Sequence, residues 1–357
     1  MEYVLAPRLL VKNGDAMVKL GEDARQCVVY LGYEGPGDDQ IEPEGTGFII
    51  RHGGRSPNKE TERAASYLVT ARHVAKKLGA DPFVIRMNHV MYPAHGHNIH
   101  IDGAEWHWHP DGEAVDVALM EFDPPEWAGW VPFDSYGFLV PLKLGQKAIQ
   151  AGDLAYVVGV YPLLHGDKRN LPIVHTGNIA LMPEDELIPV FAWEEPTHDK
   201  NGEPRIVYVR GYLVEANTHP GSSGSPVFVR RSIEQRIPEL GDQKPVETWF
   251  YGSRWLLGVW QGSWGDDLAQ FVSTPGGEAT KPFGMGVVIP APRILEILEM
   301  DELVERRRAA KLKQDRSRAL KPQSASDQTG VRATNPNHKE DFTALLNAAS
   351  KKNPPAD

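Results

Sequence analysis

From Thr218 to Phe228 the chain reads Thr-His-Pro-Gly-Ser-Ser-Gly-Ser-Pro-Val-Phe. Two glycines bound a tight turn, and an apolar run that needs burial follows at once, so the fold must hold this turn at the mouth of a core strand. A solvated Gly/Ser linker is not normally continued directly by Pro-Val-Phe-Val. The residue so presented is Ser223. A serine hydroxyl is a poor nucleophile by itself: it needs a base within hydrogen-bond reach and a third group to orient that base.

The rest of the chain supplies both. His73 follows Ser66-Tyr67-Leu68-Val69-Thr70, whose β-branched and aromatic residues read as a buried strand that turns to present the imidazole. Asp116 stands at the head of Val117-Ala118-Leu119-Met120, at the lip of a core strand. A carboxylate there can accept from the imidazole Nδ1–H and leave Nε2 to take the serine proton. The chain order His, Asp, Ser separates this arrangement from those of subtilisins and α/β-hydrolases.

Six blocks in order resemble a chymotrypsin-fold (trypsin-like) serine protease, nearest the bacterial Deg-type and glutamyl-endopeptidase branches. They are Gly45-Thr46-Gly47-Phe48-Ile49-Ile50, Thr70-Ala71-Arg72-His73, Asp116-Val117-Ala118-Leu119, Pro220 to Phe228, Gly258 to Gly262, and Gly286 to Pro290 leading into a helix. The resemblance implies an all-β fold of two six-stranded antiparallel barrels with a C-terminal helix, and the polar composition beyond it adds a disordered tail. It implies a catalytic triad of His73, Asp116 and Ser223, and an oxyanion hole formed by the backbone N–H groups of Gly221 and Ser223. By the same resemblance Asn217, Thr218, Trp260, Gln261, Gly262 and Ser263 line the substrate pocket. No aspartate stands at the pocket base, which argues against a preference for Arg or Lys. Trp260 stands where glutamyl endopeptidases carry a histidine, which argues against glutamate. Ser222 occupies the place of the aspartate that pairs with a new N-terminus in vertebrate trypsins, so that route of activation is not expected.

The expected organisation is a lead-in at 1–24 and a protease domain at 25–300. Within that domain, barrel one lies at about 26–122, a proline-bearing connector at 123–150 and barrel two at about 153–290. A helix at about 292–310 and a polar tail at 311–357 follow. Asn201-Gly202 marks a hairpin turn, and the polar stretch Arg231 to Arg254 is expected as a surface insertion. The tail opens on a basic run, Arg306 to Lys321, and ends near an apolar cluster of Phe342, Leu345 and Leu346. It reads as a solubilising extension or as a docking motif for a protein partner.

A formal net charge of −10 gives no general attraction to nucleic acid. The only cysteine, Cys27, excludes a disulfide framework within the chain. Met1 to Val11 has no signal-peptide pattern and no run of about twenty apolar residues occurs, so a cytoplasmic protein without membrane contact is the expectation. His89, His95, His97, His100, His107 and His109 form a competing constellation, since His107-x-His109 on a strand puts two imidazoles on one face. They are read as structural or surface histidines, and no cofactor or metal is expected. Two functions follow: an endopeptidase acting on protein or peptide substrates through an acyl-enzyme, and a catalytically silent binding or scaffold module on the same fold.

Overall fold

The computed structural model describes residues 23–37, 39–53, 62–79, 81–92, 94–138, 149–183, 185–236, 247–264 and 284–320. The lead-in up to residue 22, the middle of the connector, the tip of the 231–254 insertion and the tail beyond 320 lie outside the described residues. The chain divides into two compact units, Met1–Lys311 and Leu312–Asp357. The first carries both sheets and the helices α1 (Asp23–Gln26), α2 (Arg72–Leu78) and α3 (Ala291–Leu298), and helix α4 (Asp301–Leu320) begins within it.

The first sheet contains β1 (Val28–Glu34), β2 (Ile41–His52), β3 (Ala65–Thr70), β4 (Phe83–Asn88), β5 (Gly96–Ile101), β6 (His107–Trp108), β7 (Ala118–Glu121) and β8 (Phe133–Asp134). Its order is β5-β4-β1-β2-β3-β7-β6, with β8 parallel to β2. Successive side chains of a strand face opposite ways, yet β1 is buried without alternation from Val28 to Gly32 because both faces of the sheet are covered there. Val29 and Leu31 join Ile49, Leu68, Ile85 and Met120 in a core closed by Val74 and Leu78 of α2. Val28 and Tyr30 face the other way, into a layer shared with Tyr156, Val158, Phe228, Ile294 and Ile297.

The second half contributes β9 (Leu154–Gly159), β10 (Ile173–Leu181), β11 (Ile188–Phe191), β12 (Ile206–Val209), β13 (Tyr212–Glu215), β14 (Pro226–Arg236), β15 (Glu247–Ser263) and β16 (Met285–Pro290). Six of these close into a barrel in the order β10-β13-β16-β15-β14-β9, while β11 and β12 form a separate hairpin. Inside the barrel lie Val157, Ile179, Val214, Val227, Leu257, Trp260 and Val288.

Two expectations are corrected, on closure of the first sheet and on the C-terminal helix, and the 231–254 insertion takes a definite form. The first sheet has eight strands and is not a second closed six-stranded barrel. Closure would require β5 to pair with β6, but β6 is two residues long, and the residue after it, His109, is drawn away to donate through Nε2 to Glu296 of α3 at 2.6 Å. The polar stretch after Arg231 extends β14 and β15 into a long antiparallel ladder reaching Arg236 and Glu247. The single expected helix is two, and the second runs through Leu320, past the expected start of a disordered tail. Its basic run is spaced for side-chain pairing on one helix: Arg306 meets Glu302 at 2.6 Å and Arg308 meets Glu305 at 2.7 Å. The Asn201-Gly202 turn lies within the β11–β12 connection, where Gly202 adopts φ 82°.

The helices following β16 are stitched back onto the first sheet. His52 is bonded through Nδ1 to the Ser135 hydroxyl at 2.8 Å and through Nε2 to Glu299 at 2.9 Å. Arg307 donates to Glu62 at 2.7 Å and to the Tyr67 hydroxyl at 3.1 Å, in a pocket where both charged side chains are buried.

Trp260 is 1% exposed and packs against the bare backbone of Gly286, where a Cβ would collide with the indole. Its ring therefore belongs to the barrel core, so the expected pocket contact is limited to its backbone. Trp260→Ala should destabilise the protein by about 3–5 kcal/mol, the usual range for emptying a buried aromatic site. A urea titration showing a loss below about 1 kcal/mol would mean that the ring is not packed as described.

Candidate active site

β3 ends at Thr70, and the chain turns through Ala71 into α2, placing His73 in the first turn of that helix. Asp116 precedes β7, which pairs with β3. Pairing of these two strands brings the carboxylate beneath the helix start. Asp116 is fully buried and accepts two hydrogen bonds from the same residue: His73 N–H to Oδ1 at 2.9 Å and His73 Nδ1 to Oδ2 at 2.7 Å. An ionised carboxylate only accepts, so the second bond puts the proton of neutral His73 on Nδ1 and leaves Nε2 as the basic nitrogen. Burial pulls the imidazole pKa down, but the charge and hydrogen bond of Asp116 outweigh it, and the net effect raises His73 above its ordinary value.

Ser223 sits in the turn between β13 and β14. The turn relies on Gly224 at φ 85°, where a Cβ would collide with the Thr46 carbonyl and the Thr70 hydroxyl and stand 3.0 Å from Ala71 N. The Ser223 turn therefore packs directly on the segment that leads into His73. Thr46 N–H donates to the Ser223 carbonyl at 2.9 Å, and Gly224 N–H to the Trp260 carbonyl at 2.8 Å.

The Ser223 hydroxyl donates to the Gln261 carbonyl at 3.0 Å. The expected bond between Ser223 Oγ and His73 Nε2 is absent among the described residues. The Gln261 carbonyl lies where β15 shifts register between Trp260 and Gly262, outside the paired positions with β16.

Of the other expected site residues, Gly221 lies in the same turn at φ 92°. Gly262 leaves open space in front of Ser223, since a Cβ there would meet only Ser223 Oγ, at 4.0 Å. Asn217 places its side-chain oxygen against Gly284, Thr218 N–H donates to the Ala216 carbonyl at 2.9 Å, and Ser263 is exposed. Among the histidines, His107 and His109 are buried, and His97 pairs with Asp39 at 2.9 Å. Among the described residues no group of three or more His, Cys, Asp or Glu is arranged to hold a metal ion. No helix among them is long and apolar enough to cross a membrane.

Sequence reasoning marked the Asn201-Gly202 turn of the β11–β12 hairpin but missed what the hairpin brings to His73. Its connection carries Trp193, whose ring lies 5.7 Å from that of His73. Glu194 follows, 2.8 Å from Arg72 Nε and 2.7 Å from Lys76 Nζ, so it ties the hairpin to the helix that bears His73. Burial opposes ionisation of Glu194, but bonds from Lys76 and Arg72 hold its carboxyl below the usual range. Arg205 grips Glu113 with two bonds, at 2.7 and 2.8 Å, just ahead of Asp116. The only sign of this in the sequence is two short β-branched runs, 188–191 and 206–209, flanking a charged loop.

A family model described as the trypsin-like peptidase domain matches residues 45–232, and the chain belongs to that family. Among solved structures, the active form of the Rv3671c protease from M. tuberculosis is 17% identical over 78% of this chain and 81% of its own, with a TM-score of 0.38. Human heparin binding protein is 11% identical over 78% of this chain and 91% of its own, with a TM-score of 0.37. Superposition at this level equates no individual residues. No curated protein matches the chain in sequence.

The raised His73 pKa has a direct readout. In an NMR pH titration its midpoint should lie above the unperturbed value of about 6.5, and Asp116→Asn should lower it. The pair stabilises the fold fully below the unfolded histidine pKa and loses that contribution as pH rises through the folded one. An unchanged midpoint in Asp116→Asn would show that the carboxylate is not the cause.

Proposed function

We propose that this chain is a serine endopeptidase in which Ser223 is the nucleophile, His73 the general base and Asp116 the orienting acid. The observation that carries the reading is the fully buried Asp116 carboxylate holding His73 by both its backbone N–H and its Nδ1, beside the Ser223 turn. For reaction the Ser223 hydroxyl leaves the Gln261 carbonyl and gives its proton to His73 Nε2 as Oγ attacks the substrate carbonyl. The oxyanion is received by the N–H groups of Gly221 and Ser223, donors of a kind that contributes about 3 kcal/mol each. His73 then protonates the leaving amine, and a water molecule repeats the sequence on the acyl-enzyme. The substrate class is a protein or peptide, and the chemistry uses no cofactor.

One observation favours the second reading, a silent binding module: the Ser223 hydroxyl is bonded to a backbone carbonyl and not to its base. Labelling by a fluorophosphonate separates the two. The wild-type chain should label, Ser223→Ala should not, and His73→Ala should slow peptide cleavage by about 10⁴-fold or more. Cleavage of one short chromogenic peptide should rise with pH through the His73 titration, because only neutral imidazole accepts the serine proton. EDTA should change nothing. A chain inert to the probe would leave the binding module, and inactivation by EDTA would return the histidine cluster to consideration.

A further inference from the structure

Thr46 lies on β2 of the first sheet, fully buried, and makes three hydrogen bonds across the seam between the two halves and one to Thr70 within its own sheet. Its N–H donates to the Ser223 carbonyl at 2.9 Å, and its carbonyl accepts from the Thr70 hydroxyl at 2.7 Å. Its hydroxyl lies 3.0 Å from the Gly221 carbonyl and 2.9 Å from Val160 N. The direction of the last two bonds is fixed by chemistry. Val160 N–H can only donate, so the hydroxyl accepts from it and spends its single proton on the Gly221 carbonyl.

One residue therefore holds the carbonyl oxygens on both sides of Ser222. Gly221, with φ 92° and no Cβ, would otherwise rotate freely about its backbone bonds. Neither Gly221 N–H nor Ser223 N–H donates a hydrogen bond among the described residues. These are the two donors the mechanism assigns to the oxyanion.

We propose that Thr46 is a positioning residue whose hydroxyl, by anchoring the Gly221 carbonyl, sets the oxyanion-binding N–H groups of the nucleophile turn; the inference rests on the proteolytic reading above. Thr46 touches no substrate, and its effect is relayed through the turn. The side chain comes from the first half of the chain and the donors from the second, so the hole is assembled only when the two pack together.

The test compares Thr46→Val, which keeps the shape and removes the hydroxyl, with Thr46→Ser, which keeps the hydroxyl. Thr46→Val should lower kcat for a chromogenic peptide by about 10²–10³-fold, the usual effect of losing one oxyanion donor, with KM within a few-fold of wild type. Affinity for a peptide aldehyde, whose adduct carries the oxyanion, should fall in parallel, and the acid limb of the pH profile should not move. Thr46→Ser should recover most of kcat. If Thr46→Val does not fold, Thr46→Cys, with a weak S–H donor, takes its place and should show an intermediate kcat.

Unchanged kcat in Thr46→Val, failure of Thr46→Ser to rescue, or a loss expressed only in KM or as a displaced acid limb would each overturn the role. A wild-type chain inert to fluorophosphonate would overturn the proteolytic reading and this role with it. A wild-type chain that labels, with Thr46→Val labelling as fast, would overturn the role alone.

Discussion

A carboxylate with no exposed surface is tolerated only when its oxygens are hydrogen-bonded. Asp116 meets that demand entirely through His73, by one bond from the backbone and one from the ring. The backbone bond fixes where α2 begins and the ring bond fixes which nitrogen carries the proton. Much around the site follows from this contact: the helix start beside β3, the direction in which Nε2 points, and the elevated basicity of the ring. Without Asp116 the histidine would retain its place in sequence and lose its orientation.

The site is built from pieces that meet only through tertiary packing. Thr46 from the first sheet holds the Ser223 turn of the second half by two of its carbonyls, and the Thr70 hydroxyl in turn holds the Thr46 carbonyl. The β11–β12 hairpin reaches back to the first sheet through Glu194 and Arg205. Opposite charges are paired on both flanks of His73: Arg72 and Lys76 converge on one oxygen of Glu194, while Glu113 pairs with Arg205. These pairs are partly exposed and individually weak. Their significance is geometric, since they fix a tryptophan beside the His73 imidazole.

The sequence was most readable where residue type and backbone demand coincide. Ser223 between glycines, Asp116 at the head of an apolar strand and His73 after one each carry a local signature, and the structure brings His73 and Asp116 into direct contact. Closure of the first sheet was not readable, because it depends on whether a two-residue strand at His107 pairs onward or yields to a glutamate almost two hundred residues later. Trp260 misled because a motif position does not reveal which way its side chain faces; the strand pleat turns it into the barrel. Trp193 has no local signature at all. Its relation to His73 comes from ion pairs between residues far apart in the chain. The basic run after Arg306 looked like a solvated tail by composition, whereas the spacing of its acids supports a helix.

The layer between the two halves has a consequence for how the chain is made. Tyr30, Phe48, Ile50 and Tyr67 are synthesised well before Ile294, Ile297, Leu298 and Leu303, yet they share that layer with them. During synthesis from the N-terminus, the first sheet can close one face with α2 as soon as β7 emerges. Its other face must wait, apolar and uncovered, until nearly the whole described domain has left the ribosome. Such surface is where nascent chains associate wrongly or recruit chaperones. Folding of the two halves is thus coupled by the order of translation as well as by packing, and the last helices act as the closing step of a core begun near residue 28.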